Sequence, residues 1–231
     1  MAELHDTTEE YLEQIIELEE EGVTPMRARL VERLGRSGQA VSETVRRLVD
    51  NGFVEMRDDR SLGLTGKGRS LATTVVRRHR LAERLLLDVI GLEWEKVHRE
   101  ADRWEHAISA EVEQKLVELL GDPMTCPHGN PIPGSRRTSP AAPSVALADA
   151  PSGPVTVTRI AEKLELSDDS LRLLAHSRMI PGAAATVLSR GPNGVKVRTA
   201  AGEHTIPPDV ASYMYVSAAS PPATAGTMLS V

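Results

Sequence analysis

Four side chains with imidazole or carboxylate donors lie close together near residue 100. His98, Asp102, Glu105 and His106 are spaced i, i+4, i+7 and i+8, which brings them near one face of a helix. Donors of these types, gathered in this number, suit a divalent transition metal. His79 and Glu83 form another pair at i, i+4, and Glu10 and Glu13 another at i, i+3. None of the three segments completes a site alone, so a site needs three helices brought together. Taken singly, each pair could equally decorate a solvated helix face, where it contributes roughly 0.2–0.5 kcal/mol. Taken together, ligand type and spacing converge on metal. Glu10 and Glu13 would also repel each other if buried side by side without a cation.

The elements that must position these residues can be read from the hydrophobic pattern. Leu12, Ile15, Ile16 and Leu18 give a first helix its apolar stripe, and Gly22 closes it. Thr24-Pro25 opens a short second helix containing Ala28, Leu30, Val31 and Leu34. Ser37 is placed to cap a third, Gln39 to Asp50, after the turn from Gly35 to Gly38. FVEMR and LGLT then flank the polar turn DDRS as two short strands. Two helices about a glycine turn followed by a hairpin make a winged helix-turn-helix. Helices are expected next over Gly66 to Val89, Glu93 to Ala107 and Ser109 to Leu120. The first and third are candidates for a subunit interface.

The pattern predicts a mainly α protein with small β parts. Residues 1–65 form the winged DNA-binding domain and 66–140 a helical metal-binding and dimerisation domain. Residues 141–153 read as a linker, within the Pro/Ala/Ser-rich stretch 134–153. Residues 154–216 alternate β-type runs with a short helix and suit an SH3-like β-barrel. Residues 217–231 read as a disordered tail.

Composition excludes several classes of function. The chain of 231 residues is 40% hydrophobic and 26% charged, and no apolar run approaches the length of a membrane span. The acidic start MAELHDTTEEYLEQ reads as no secretory signal, and one cysteine, Cys126, suits a reducing cytoplasm. Aromatic content of 3% argues against single-strand binding by stacking and against a Pro-peptide groove. The net charge of −6 is unevenly spread. Residues 1–23 hold nine acidic side chains and no Lys or Arg, whereas residues 24–80 hold thirteen Lys or Arg against six Asp or Glu. Such a local basic surface is what contact with DNA phosphates requires.

The stretches DTTEEYLEQIIELEEEGVTPMRARLVERL, RSGQAVSETVRRL, DDRSLGLTGKGRSLAT, RRHRLAERLL, KVHREADRWEHAIS and PHGNPIPG resemble the diphtheria-toxin-repressor family of metal-dependent regulators. The later part resembles that family's SH3-like domain more loosely, in VTVTRIAEKLELSDDSLRLL and IPPDVASYMYV. The resemblance implies a dimeric repressor on a double-stranded operator, with two metal sites per subunit. The activating site would be Glu10, Asp102, Glu105 and His106. The ancillary site would be His79, Glu83 and His98, with further ligands from the C-terminal part. There, positions that supply a Glu and a Gln in iron-type members read Ser167 and Ser170, which leaves Asp168 or Asp169 as the carboxylates at hand. Iron-type members also carry a methionine where Glu10 stands and a cysteine where Asp102 stands. Hard oxygen donors in place of sulfur suit Mn²⁺, with Fe²⁺ next. Glu13 matches a further acidic ligand of the manganese-responsive branch, while Cys126 reads as a bystander.

For DNA, the third helix offers Ser37, Gln39, Ser42, Glu43, Arg46 and Arg47. Arg27 and Arg29 precede the second helix, and Arg57 and Arg60 flank the wing. Gln can read adenine, and Arg can read guanine or neutralise phosphate. Glu43 stands where iron-type members have Gln and could accept from cytosine. The sequence thus predicts a Mn(II)-activated homodimeric repressor of metal-homeostasis genes, cytoplasmic, with no membrane partner and no organic substrate. The alternatives are an Fe(II)-dependent repressor and, from another class, a metallohydrolase. For a hydrolase the sequence lacks HExxH, a phosphate loop and a nucleophile motif.

Overall fold

The computed structural model describes residues 2–137 and 143–218, with side chains from residue 7 onward. The expected tail lies almost wholly outside the described residues. The chain divides into two compact units, Met1–Ser139 with Ala161–Asp168, and Pro140–Ile160 with Asp169–Val231. Each is described by itself.

The first unit begins with α1 (Ala2–Glu20), α2 (Arg27–Leu34) and α3 (Gly38–Asp50). The turn between α2 and α3 is set by Gly35, whose φ of 61° is left-handed and whose amide donates to the Val31 carbonyl. Ser37 then caps α3, its Oγ accepting the Ala40 amide at 3.2 Å. The wing follows as antiparallel β1 (Val54–Met56) and β2 (Leu62–Leu64), paired Val54 to Leu64 and Met56 to Leu62. Asp59 closes the wing turn by accepting from the Ser61 amide and hydroxyl. Apolar stripes of α1, α2 and α3 meet β1 and β2 in one core that includes Leu12, Ile15, Leu30, Val45, Leu48 and Leu62. Arg27 and Arg29 lie in the first turn of α2 and do not precede it, because the helix starts two residues after Pro25.

The helix α4 (Gly66–Leu85) is capped by Thr65, whose Oγ1 accepts the Gly68 amide. Gly68 has a second duty: a Cβ there would sit 1.9 Å from the Phe53 carbonyl oxygen, so only glycine lets the helix start pass the strand this closely. The long helix expected to Val89 changes winding after Leu85 into a π turn, Leu86–Ile90, ended by Gly91. The wider turn keeps Leu86 buried while Val89 and Ile90 face outward. The segment expected as one helix from Glu93 to Ala107 is a 3₁₀ turn at Trp94–Lys96, then α5 (Val97–Trp104), then a second 3₁₀ turn at Glu105–Ala107. α6 (Ala110–Leu120) follows, capped by Ser109. A second core holds Leu81, Leu86, Val97, Ala101, Ile108 and Leu116. α7 (Glu162–Glu165) returns to this unit from much later in the chain.

The second unit carries a sheet of β3 (Val145–Ala146), β4 (Gly153–Ile160), β5 (Ala184–Gly191), β6 (Gly194–Thr199), β7 (Gly202–Ile206) and β8 (Met214–Ala218), in the order β3-β8-β4-β5-β6-β7. Every pairing is antiparallel. Alternate residues Val155, Val157, Val187, Val195, Val197 and Val216 turn inward, as an SH3-like domain requires. α8 (Asp168–His176) and α9 (Pro208–Ala211) complete the described helices. The expected span 154–216 is therefore interrupted, since Ala161–Asp168 groups with the first unit. No described helix is long and apolar enough to cross a membrane.

Candidate metal centre and nucleic-acid interface

α1, α4, α5 and the 3₁₀ turn after α5 bring Glu13, His79 and Glu105 together, all buried and with ligand atoms within 4.8 Å of one another. Glu105 accepts from His79 Nδ1, while the other ring nitrogen, Nε2, lies 3.1 Å from His98 Nδ1. His79 therefore joins two clusters. The second comprises His79, Glu83 and His98. Glu83 Oε1 lies 3.4 Å from His79, 3.4 Å from His98 and 3.0 Å from His128. Two further triads complete the chain of donors: Glu83 with Cys126 and His128, and His98 with Glu162 and Glu165.

The four donors near residue 100, His98, Asp102, Glu105 and His106, all line one cavity, at different depths. The tighter 3₁₀ winding turns Glu105 inward to His79 and leaves His106 half-buried, its Nδ1 2.7 Å from Glu9 Oε2. Asp102 is half exposed, and its Oδ1 lies 3.5 Å from His79 and 3.8 Å from His98. Glu10 pairs with Arg36 at 2.6 Å, yet it lines the same cavity of about 600 Å³ as Glu13, His79, Asp102, Glu105 and His106.

The carboxylates that lie beside His98 are Glu162 and Glu165, an i, i+3 pair five residues before Ser167 and Ser170. Asp168 and Asp169 do not substitute: Asp168 is half exposed and pairs with Arg99 at 3.2 Å, and the Asp169 side chain is 97% exposed. Cys126, read from the sequence as a bystander, is buried with its Sγ within 4.8 Å of ligand atoms of Glu83 and His128. His128 escaped the sequence reading because it lies in a loop, TCPHGN, where no periodicity marks it. The EKLE segment did carry a signal, a carboxylate pair at the spacing of Glu10 and Glu13.

Burial and mutual charge set the protonation of these groups. Burial raises the Glu13 carboxyl well above its usual value, and the neighbouring Glu105 and Glu17 raise it further. At His79, burial opposes charge, but hydrogen bonds and attraction to Glu105 and Glu83 outweigh it and hold the imidazole well above its ordinary value. His98 and His128 are raised in the same way, by Glu165 and Glu83. Burial disfavours charge on Glu165, yet His128 and His98 hold it down to about 2. Burial and the nearby Glu165 push Glu162 up to about 7 against the pull of Arg80. Burial pushes the Cys126 thiol up to about 12. Glu83 Oε2 and His128 Nε2 are buried with no hydrogen-bond partner among the described residues. Orphaned donor atoms within a set of imidazoles and carboxylates fit a divalent cation.

On the DNA side, Gln39, Glu43 and Arg46 of α3 are exposed, Ser42 and Arg47 half-buried, and Ser37 exposed at the helix start. Arg27 is exposed on α2, as are Arg57 and Arg60 in the wing, where Arg60 adopts a φ of 65°. Among the described residues Arg46, Arg47 and Arg60 make no ion pair, whereas Arg57 lies 3.7 Å from Glu55 and Arg29 3.1 Å from Glu32. Uncommitted cations on α3 and in the wing can receive phosphates.

Residues 3–62 match the family description "Iron dependent repressor, N-terminal DNA binding domain", and residues 65–134 match "Iron dependent repressor, metal binding and dimerisation domain". The iron-dependent repressor IdeR of Mycobacterium tuberculosis is 48% identical over 207 residues, covering 85% of this chain and 90% of the relative. The diphtheria toxin repressor of Corynebacterium glutamicum is 60% identical over 134 residues, covering 58% of this chain and 59% of the relative. A solved manganese-dependent transcriptional repressor in complex with manganese superposes with a TM-score of 0.79 at 31% identity, covering 92% of this chain and all of that one. The chain belongs to the diphtheria-toxin-repressor family of metal-dependent, DNA-binding transcriptional repressors.

Proposed function

We propose that this chain is a manganese-activated homodimeric repressor of metal-uptake genes. The observation that carries the reading is the donor set of the cavity between α1, α4 and α5. Glu10, Glu13, His79, Asp102, Glu105 and His106 line it, and among the described residues no sulfur does. Oxygen and imidazole donors favour Mn²⁺ over softer competitors, with Fe²⁺ as the second choice. Both metals occur among the names of the relatives, so the reading rests on donor chemistry. The ancillary site is assigned to His79, Glu83 and His98, extended by Glu162, Glu165, His128 and Cys126.

A bound divalent cation would supply the positive charge that the carboxylates of α1 and the 3₁₀ turn lack. α1, carrying Glu9, Glu10 and Glu13, would then be held against α4 and α5. In a dimer this would set the separation of the two α3 helices to meet half-sites about 34 Å apart. Val89, Ile90, Val112 and Leu119 are exposed apolar side chains within the segment matched to a dimerisation domain, and they suit the subunit contact. Ser37, Gln39, Ser42, Glu43 and Arg47 would face the bases, with Arg27 and Arg60 on phosphates.

The test is fluorescence anisotropy on DNA from manganese- and iron-uptake promoters, anaerobically, at fixed salt and fixed free metal. Tight binding with Mn²⁺, weaker binding with Fe²⁺ and none in chelator are expected. Converting Glu10→Met together with Asp102→Cys should move the response toward Fe²⁺. An unchanged metal ranking would sink the selectivity argument.

A further inference from the structure

Arg36 occupies the turn between α2 and α3, immediately before Ser37, the cap of α3. Its Nη2 donates to Glu10 Oε2 at 2.6 Å, and its guanidinium lies 5.7 Å from the centre of the Tyr11 ring. Both side chains of this pair border the cavity that Glu13, His79 and Glu105 also line. The other arginine there, Arg33, is committed elsewhere, to Glu21 and, at 3.9 Å, to Glu17. Arg36 is therefore the cation that holds Glu10. Its exposure of 40%, against 36% for Glu10, leaves it able to leave the pair without uncovering a buried charge.

One carboxylate thus faces two claims, from Arg36 and from a metal. One guanidinium likewise faces two, from Glu10 and from DNA phosphate at the start of the recognition helix. We propose that Arg36 is an exchangeable counter-ion that links the metal site to the DNA surface. With the site empty, Arg36 neutralises Glu10. With Glu10 committed to the metal, Arg36 is released to contact the phosphate backbone beside Ser37. The inference rests on the assignment of Glu10 to the activating site. A half-exposed pair is modest in strength, so Arg36 tunes the switch and does not constitute it.

The test uses full-length wild type, Arg36→Gln, Arg36→Lys and Glu10→Gln. Mn²⁺ affinity is first measured calorimetrically without DNA. Arg36→Gln should bind about two- to fivefold more tightly than wild type, since the competing cation is gone. Operator affinity at saturating Mn²⁺ is then followed against salt. The slope of log affinity on log salt should fall by about one per subunit in Arg36→Gln and be restored in Arg36→Lys. If Arg36→Gln leaves either the metal affinity or the salt slope at the wild-type value, the proposal is overturned. The manganese reading is judged separately, by whether wild-type operator binding responds to Mn²⁺ and whether Glu10→Gln loses Mn²⁺ affinity.

Discussion

Replacing Arg80 by Met should unfold the first unit well before the wild type, without any metal being involved. Arg80 is 1% exposed and sits in α4 with each terminal nitrogen occupied. Nη1 donates to the Pro131 carbonyl at 2.6 Å and to Glu20 at 3.2 Å, and Nη2 donates to Glu20 at 2.7 Å and Glu162 at 2.8 Å. Methionine fills much of the volume but removes the charge and every donor. Removing one member of a buried pair costs about 3–5 kcal/mol, because the partner stays buried unpaired. Two features favour the low end. Glu20 is a quarter exposed and recovers solvent, and Glu162, raised to about 7, can take a proton. About 3 kcal/mol is therefore expected, or a fall in Tm of roughly 6–12 °C for a unit of this size. Glu162→Gln keeps an acceptor for Arg80 and relieves repulsion from Glu165, so it should change stability by no more than about 1 kcal/mol. In the double variant Arg80→Met, Glu162→Leu the penalty should shrink, as both buried charges are gone. The assay is scanning calorimetry of chelator-treated protein at pH 7.5. A loss under about 1 kcal/mol for Arg80→Met, or a double variant as unstable as the sum of the singles, would refute the argument.

Metal binding should release protons and strengthen as pH rises. His79, His98 and His128 have raised pKa values and Glu13 is raised too, so the metal-free fold holds protons that ligation must displace. Without metal, the imidazolium–carboxylate contacts stabilise the unit fully below the ordinary histidine value, and that contribution is lost as pH rises through the raised one. Calorimetry of Mn²⁺ binding in buffers of different ionisation enthalpy measures the proton count, and a count of zero would contradict the protonation pattern. Gly68→Ala should destabilise by about 3 kcal/mol or more, since the added methyl meets the Phe53 carbonyl oxygen at 1.9 Å and backbone must move. Chemical denaturation reads this directly, and a loss below about 1 kcal/mol would mean that the approach is looser than described. Cys126, 2% exposed with its thiol raised to about 12, should resist alkylation in native metal-free protein and react at once in denaturant. Rapid native labelling would show the pocket open.

The sequence made the helical part of the site legible where ligand pairs repeat at helical spacing. Glu10 and Glu13, His79 and Glu83, and His98 with Asp102 are such pairs, and the structure brings all of them to one region of the first unit. The winged hairpin and the Ser37 cap were equally readable, because turn chemistry there is local. Winding was not. The π turn after Leu85 and the 3₁₀ turn at Glu105 follow from how Leu86 and Glu105 are drawn inward, a tertiary effect that periodicity does not encode. His128 and Cys126 reach Glu83 from a loop whose path depends on contacts such as Trp94 Nε1 donating to the Pro127 carbonyl at 3.0 Å. The carboxylates of α7, Glu162 and Glu165, went unremarked because they lie where the resemblance is loose, in a short segment that groups with the first unit from much later in the chain.

That re-entry has a consequence for how the protein is made. A ribosome delivers residues 1–137 first, with Arg80, His98 and His128 already present. Glu162 and Glu165 emerge only after β3 and the whole of β4. Until then the nascent centre lacks one anionic partner of Arg80, and the carboxylate that Asn130 and His128 contact is missing. The first unit is thus finished by a late arrival. A fragment ending at residue 137 would contain every described helix of the DNA-binding and dimerisation segments, yet its centre would remain short of two carboxylates.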